Sequence, residues 1–175
     1  MVERKRANKQ FYTVHFVWDK RLWVITFAIF ALWLGVAGFL FYNIFTQENS
    51  TEPLIALLLF NAIMLPLVLA CEGYAPQRWE IGEGKIVVLR RYKSVVITRE
   101  EIKSVERLPA NAMRGAIRTA GVGGLFGYYG SYYSRSIGSF KLYATSFDNL
   151  FLVRKWDGKC VVISCAEPDK MEIYL

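Results

Sequence analysis

The amino-acid sequence predicts an α+β membrane protein: a two-helix transmembrane hairpin, then an antiparallel β-barrel or sandwich of about seven short strands with a short C-terminal helix. Two apolar segments, residues 22–45 and 53–71, carry no charged side chain and predict the helices. Beyond residue 71, apolar and polar residues alternate between glycine-containing turns, which predicts the β domain over residues 72–175.

The two apolar segments have the length of membrane spans. Residues 22–45 make about 36 Å of helix and residues 53–71 about 28 Å, against a hydrocarbon core of about 30 Å. The alternative is a buried hairpin of a soluble protein, which needs a large domain to cover all its faces. The 104 residues that follow are few for that purpose, so we expect a transmembrane hairpin over residues 22–71.

The charges on the flanks predict the orientation of the hairpin. The net charge is +4 over residues 1–21, −2 over the connection 46–52 and +5 over residues 72–175. Because short flanks rich in Lys and Arg stay in the cytoplasm, both termini are expected there, with a multi-pass chain. A cleavable signal peptide fits less well, since the first apolar run is too long and no small-residue cleavage site follows it.

Residues 1–21 are a basic and aromatic lead-in. The charged start is attracted to an anionic inner leaflet, and the aromatic rings that follow are suited to the membrane boundary. Apolar and polar residues also alternate over positions 12–18, a pattern that fits a short strand pairing with the later domain.

The small residues of the first helix fall on one stripe about 80° wide. Small residues allow close helix approach in a membrane, so this stripe is expected to pack against the second helix. In that helix Asn61 requires a hydrogen-bond partner, and Pro66 is expected to introduce a kink. A transport path through Asn61 and Pro66 is less favoured, because neither span carries a carboxylate or a Lys. The stripe consists of Ala28, Ala31, Gly35 and Gly38.

Seven short strands are expected in the β domain, and turn residues separate them. The turns 82–84 and 157–158, Gly-Glu-Gly and Asp-Gly, are typical of hairpins. Pro168 and Asp169 suit the first turn of a terminal helix over residues 167–175. The expected strands are residues 79–81, 85–91, 94–98, 102–108, 138–145, 150–156 and 159–164.

From about Tyr74 to the end, the chain resembles bacterial pleckstrin-homology (PH) domains. The resemblance is carried by a glycine-rich middle and by the strand sequences WEI (79–81), IVVL (86–89), IKSV (102–105) and FKLY (140–143). It implies a barrel or sandwich closed by a C-terminal helix, and a preceding membrane hairpin is similar to architectures in which such domains occur. Relative to that family, the terminal helix is short and the glycine-rich insert is long.

The glycine-rich insert, residues 115–138, combines tyrosines with flanking arginines. One hypothesis places it against the inner leaflet, with the rings at headgroup level and the arginines near phosphates. The alternative, which is favoured, is a loop whose tyrosines join a core or an oligomer contact. Nucleotide binding is disfavoured because the Lys-Ser/Thr of a P-loop is absent. The contact candidates are Arg114, Arg118, Tyr128, Tyr129, Tyr132, Tyr133 and Arg135.

A second basic cluster, Arg90, Arg91 and Lys93, lies at a turn between two early strands. The PH resemblance implies contact with anionic lipid there, but a solvated basic face is favoured. Nucleic acid is not expected as a partner, because a position beside a bilayer already accounts for the basic charge.

No constellation of catalytic side chains is present in the sequence. A single His and three Cys without CxxC spacing do not predict a metal site, and we expect no cofactor. The sequence therefore predicts a non-enzymatic, membrane-anchored PH-like module for protein–protein or self-association at the cytoplasmic face of a bacterial inner membrane. Contact with anionic lipid headgroups is a further expectation. The alternative is a small accessory subunit of a transporter or membrane enzyme.

Overall fold

A computed structural model describes residues 12–46, 51–82, 84–109 and 111–174. The charged start of the lead-in and most of the polar connection between the helices lie outside these residues. The described residues contain two helices and ten strands. The first strand precedes the helices, and the other nine follow them.

The two predicted helices are present, and both extend beyond their predicted limits. Helix α1 spans Lys20–Thr46 and helix α2 spans Glu52–Tyr74. Both are long and apolar enough to cross a membrane, and only 6% and 11% of their most apolar stretches are buried. Asp19 accepts a hydrogen bond from the Leu22 backbone N–H at 2.6 Å, which satisfies one free donor at the start of α1. The charged residues Lys20, Arg21, Glu52 and Glu72 lie within the helices.

The small-residue stripe of α1 does not face α2, which corrects the prediction. Gly35 and Gly38 are exposed, and an added Cβ at either would meet no atom within 4 Å. Ala28 and Ala31 are exposed on the same side. The half-buried residues of α1 lie on a different face, and most of them are larger. The half-buried stripe of α1 consists of Ile29, Phe30, Trp33, Val36, Ala37, Leu40, Asn43 and Ile44.

The sequence predicts that Asn61 requires a hydrogen-bond partner, and the structure gives it one in its own helix. Its side-chain amide donates to the Leu57 carbonyl oxygen at 2.9 Å. The residue is half-buried on the α2 face that carries Pro53, Val68 and Cys71. The bond within α2 satisfies the amide without a polar partner on α1.

The first sheet has the strand order β1-β2-β3-β4 and is antiparallel throughout. Its first strand confirms that the lead-in pairs with the later domain, since Tyr12 lies opposite Ile81 and His15 opposite Arg78. Both helices are therefore inserted between two neighbouring strands. The strands are β1 (Tyr12–His15), β2 (Arg78–Gly82), β3 (Lys85–Leu89) and β4 (Val95–Thr98).

The second sheet has six strands in the order β5-β9-β10-β8-β7-β6. Strands β8 and β10 are parallel and the other pairs are antiparallel, so the expectation of a purely antiparallel domain was wrong at one pair. A terminal helix is confirmed but is of the 3-10 type, Pro168–Tyr174. The strands are β5 (Ile102–Arg107), β6 (Ile117–Gly123), β7 (Tyr128–Ser134), β8 (Gly138–Ala144), β9 (Leu150–Lys155) and β10 (Cys160–Ser164).

The glycine-rich insert is a β-hairpin, not a loop, and this raises the strand number after α2 from about seven to nine in the described residues. Gly121 lies opposite Gly130, with φ of 121° and 128°. A Cβ on Gly121 would lie 2.2 Å from the Tyr129 carbonyl oxygen and 2.7 Å from the Gly130 Cα. Only glycine permits this close pairing of β6 and β7.

Two cores lie on the two faces of the central strands β9 and β10. Phe151 and Val153 of β9 enter a core shared with the first sheet, where Trp79 is 1% exposed. Leu150 and Leu152 enter a second core, which also contains Leu22 of α1. The two sheets therefore pack as a sandwich, and the start of α1 is part of the interior of the β domain.

Candidate functional site

The helices meet the β domain at a junction that contains Arg90, Arg91 and Lys93 and adjoins Tyr128 and Tyr129. We define the junction as the β6–β7 turn (residues 124–127), the first two turns of α1, the last turn of α2 and the β3–β4 turn (residues 90–94). Hydrogen bonds and close packing connect these four parts.

Helix α1 is fixed to the β6–β7 turn through Thr26. The Thr26 hydroxyl donates to the Gly124 carbonyl oxygen at 3.1 Å and lies 3.5 Å from the Phe126 backbone N–H. Gly124 has φ of +123°, and a Cβ there would lie 2.8 Å from Ile25. Phe126 adopts a left-handed φ of 59°, and its ring packs edge-on against Trp18. The β6–β7 turn therefore packs closely against the first two turns of α1.

Helix α2 is fixed to the same hairpin through Tyr129 and to the β3–β4 turn through Tyr92. The Tyr129 hydroxyl donates to the Cys71 carbonyl oxygen at 2.6 Å, and burial raises the pKa of Tyr129. The Tyr92 backbone N–H donates to the Gly73 carbonyl oxygen at 3.0 Å. A Cβ on Gly73 would lie 2.0 Å from the Tyr92 ring, so the ring would have to move to accommodate any other residue where the helix ends.

The segment before α1 adds a third connection. The Asp19 backbone N–H donates to the Thr145 carbonyl oxygen, and the Thr145 hydroxyl donates to Val17, both at 3.1 Å. The Tyr128 hydroxyl lies 3.4 Å from Asp19 Oδ1. Burial, with the nearby Asp19 carboxylate, raises the pKa of Tyr128 to about 12, so the phenol stays neutral at ordinary pH.

Three of the four tyrosines predicted to meet headgroups lie inside the protein. Tyr128, Tyr129 and Tyr132 are 6%, 6% and 7% exposed, whereas Tyr133 is 46% exposed. Their rings fill the second core or hold the helices, as the alternative interpretation of the insert proposed. Of this group Tyr133 alone presents a ring to the surroundings.

The basic cluster at the β3–β4 turn is partly occupied by contacts inside the protein. Arg90 Nε donates to the Lys93 carbonyl oxygen, and its guanidinium lies 5.5 Å from the centre of the Tyr143 ring. Arg91 pairs with Glu72 at 2.8 Å, which holds the turn to the end of α2. The side chain of Lys93 is exposed.

The three arginines around the insert are exposed, and none forms a hydrogen bond or ion pair with a described residue. Arg114 precedes β6, Arg118 lies within it beside Tyr132, and Arg135 is in the β7–β8 turn. The structure brings Arg114 towards α1 and leaves Arg135 at the opposite end of β7 from the β6–β7 turn.

A cleft of about 430 Å³ beside the first turn of α1 brings together residues that the sequence did not connect. Arg21 marked only the start of a span in the sequence, and Asn111 carried no signal. No periodicity joins position 21 to positions 111–116, because the β5–β6 connection crosses to the helix only in the folded chain. The cleft is lined by Arg21, Asn111, Met113, Arg114, Ala116, Tyr132 and Phe147.

The described residues show no group of three or more His, Cys, Asp or Glu placed to hold a metal ion. Cys71, Cys160 and Cys165 are buried and unpaired. Burial raises the pKa of Cys165 to about 11, so its thiol is protonated and unreactive at neutral pH.

Comparison with known proteins identifies the β domain. A family model described as a bacterial PH domain matches residues 77–175. The match begins one residue before β2 and runs through the terminal 3-10 helix, so it leaves out β1, α1 and α2. No curated protein and no solved structure matches the chain.

Proposed function

Because this chain belongs to the bacterial PH domain family, we propose that it is a non-enzymatic scaffold anchored in the bacterial cytoplasmic membrane. Helices α1 and α2 cross the bilayer, and the β domain lies against its cytoplasmic face. There the protein associates with another protein or with its own copies, and its basic surface contacts anionic headgroups.

The pairing of β1 with β2 is the observation that supports this topology most directly. His15 lies opposite Arg78, so the segments before α1 and after α2 must be on the same side of a membrane. The two helices therefore cross together or not at all. Crossing together agrees with basic flanks on both sides of the hairpin and a connection without Lys or Arg.

Alkaline carbonate extraction combined with reporter fusions tests the anchoring. The protein should stay in the membrane pellet, and alkaline phosphatase should be inactive when fused after residue 175. Phosphatase inserted at residues 47–50 should be active, because the connection is proposed to be periplasmic. Extraction into the carbonate supernatant, or active phosphatase at the C-terminus, would contradict the proposal.

The exposed small-residue face of α1 supports association within the bilayer. Ala28, Ala31, Gly35 and Gly38 remain uncovered after α2 has packed, and such faces allow another helix to approach closely. Cross-linking of the purified full chain in mild detergent should give dimers that Gly35→Leu and Gly38→Leu weaken. If the chain stays monomeric and gives no cross-links at any protein concentration, the proposal of self-association is contradicted.

The same face favours one alternative, an accessory subunit whose partner helix belongs to a transporter or membrane enzyme. Purification of the tagged chain from its native membrane in mild detergent separates the two functions. A stoichiometric complex with an active subunit supports the accessory role. Recovery of the chain alone or as its own oligomer supports the scaffold.

A further inference from the structure

The cleft beside α1 has the composition of an anion site. Arg21 and Arg114 line it together with Asn111, and no Asp or Glu is among its lining residues. Neither arginine forms a hydrogen bond or ion pair with a described residue. An anion bound in the cleft would be attracted by the positive charge of both side chains.

The arginines of the β3–β4 turn differ from this pair in their contacts. Arg91 is paired with Glu72, and Arg90 is bonded to Lys93 and packed on tyrosine rings. Their charge helps to hold the β3–β4 turn against α2. Arg21 and Arg114 have no such partner among the described residues, so their donors are available to a ligand. Guanidinium groups bind phosphate oxygens well because their donors match a planar, bidentate geometry.

The cleft lies at the height of lipid headgroups if the helices cross a membrane. The exposed apolar side chains of α1 begin at Trp23 and Val24, which are 52% and 67% exposed. Arg21 precedes Trp23 by two residues, or about 3 Å along the helix axis. The headgroup layer is about 5–8 Å thick on each side of the hydrocarbon core. Arg21 is therefore within reach of lipid phosphates.

The remaining lining of the cleft is apolar, which suits a lipid better than a small soluble anion. Met113 and Phe147 provide apolar surface, and Tyr132 contributes its ring. The Tyr132 hydroxyl already donates to the Val122 carbonyl oxygen at 3.3 Å. A phospholipid combines a phosphate for the two arginines with a glycerol backbone and acyl chains that can follow the exposed apolar side of α1.

We propose that this cleft binds the phosphate group of an anionic glycerophospholipid between Arg21 and Arg114. The inference rests on the proposed anchoring and adds a defined site to it. The site combines the start of α1, which lies outside the matched PH region, with the β5–β6 connection.

Native mass spectrometry of the full chain in detergent tests the site. The chain is titrated with phosphatidylglycerol or with phosphatidylcholine of the same acyl chains. Phosphatidylglycerol should bind more tightly, and the double variant Arg21→Gln/Arg114→Gln should weaken its binding about tenfold or more. Phosphatidylcholine binding should change little.

A charge-matched control removes two cations elsewhere. Lys103→Gln/Lys159→Gln lowers the net charge equally, and both positions lie at the end of the second sheet that holds the β9–β10 turn, opposite Thr145. This variant should bind phosphatidylglycerol as the wild type does. Equal weakening by both variants would show a general charge effect and overturn the site. Unchanged binding by the arginine variant would overturn it as well.

Two further measurements separate the possible failures. If glycerol 3-phosphate binds as tightly as phosphatidylglycerol, the ligand is a soluble phosphate ester and the lipid assignment is wrong. If Arg21→Gln/Arg114→Gln does not fold, the single change Arg114→Gln, which lies outside every helix and strand, should still weaken lipid binding measurably. Carbonate extraction reports on anchoring independently, so a retained chain without lipid selectivity would contradict this site alone.

Discussion

At the scale of single residues, the connection between helices and sheets depends on a few backbone positions. Gly124, Thr26 and Tyr129 bring three elements to one point, and none of their partners is near in the sequence. Phe126, a non-glycine residue at φ of 59°, is held in this conformation by the same contacts. Backbone in such a conformation persists when its surroundings determine it.

Replacing Gly124 by Ala should destabilise the protein more than the same change at Gly115. Both glycines have positive φ, 77° at Gly115 and 123° at Gly124, so alanine strains the backbone at both positions, and more at Gly124, which lies further from the left-handed region. At Gly124 the Cβ also meets Ile25, whereas at Gly115 no atom lies within 4 Å. We expect an additional loss of about 1–3 kcal/mol at Gly124, measured as the difference in unfolding free energy in detergent. Equal losses of unfolding free energy at the two positions would show that contact with Ile25 adds no cost at Gly124.

Tyr129→Phe should lower the free energy of unfolding by about 1 kcal/mol, because it removes one buried hydrogen bond. The loss stays moderate because the Cys71 carbonyl also accepts from the Ala75 backbone N–H at 3.1 Å. Tyr133→Phe is the matched control, since that ring is 46% exposed, and it should change stability by less than about 0.5 kcal/mol. Thermal unfolding of the full chain in detergent compares the two variants.

At the scale of elements, α1 has two functions along its length. Leu22 and Thr26 are buried against the β domain, while Phe27, Leu32, Leu34 and Phe39 are more than 60% exposed. The first two turns therefore belong to the domain, and the remaining length is available for a bilayer. The last turn of α2 is likewise joined to the domain, through Cys71 and Gly73.

Neighbouring positions on α1 provide a test of which face meets α2. Ala37 is on the half-buried face and Gly38 on the exposed face. Ala37→Leu should overpack the pair and cost about 1–3 kcal/mol of unfolding free energy, while Gly38→Leu should cost nothing. Thermal unfolding in detergent at low protein concentration measures this without interference from association. The opposite order of the two effects would restore the small-residue face as the contact with α2.

Some elements were predictable from the sequence and others were not, for physical reasons. The helices were found because no charge interrupts residues 22–45 and 53–71, and their ends were missed because Lys20 and Glu72 are helical although charged. Strands β6 and β7 were missed because their pairing depends on Gly121 opposite Gly130. Because glycine has no side chain, it contributes nothing to the alternation of apolar and polar residues that indicates a strand.

The same limits explain what was predicted of the candidate site. The insert was singled out by its Tyr and Arg content, and the junction does lie there. Which way Tyr128, Tyr129 and Tyr132 point depends on α1 and α2 covering one face of the hairpin, which no local pattern records. Arg21 and Arg114 line one cleft because the β5–β6 connection passes beside α1. That connection has no periodic pattern in the sequence, so the cleft is visible only in the folded chain.

At the scale of the whole molecule, the β domain is incomplete without the segment that precedes the helices. A fragment of residues 74–175 lacks β1 and Leu22, so the β2 edge loses its partner and both cores lose a buried side chain. We expect this fragment to unfold without a sharp thermal transition and to bind a hydrophobic dye. The full chain in detergent should show a cooperative transition.

Fusing residues 12–26 ahead of the fragment through a flexible linker should restore cooperative unfolding. The restored segment supplies the partner of β2 and the buried Leu22 without the long exposed apolar part of either helix. Circular dichroism during heating distinguishes the three proteins. Cooperative unfolding of residues 74–175 alone would contradict the assigned contribution of β1 and Leu22.

The pairing of β1 with β2 also sets an order of events during synthesis. About 60 residues separate His15 from Arg78, and a ribosome adds about 5–20 residues per second. Residues 12–15 therefore wait about 3–12 s for their partner while both apolar segments are made. The sandwich can close only after both helices have been synthesised, so the proposed membrane insertion can begin before the sandwich folds.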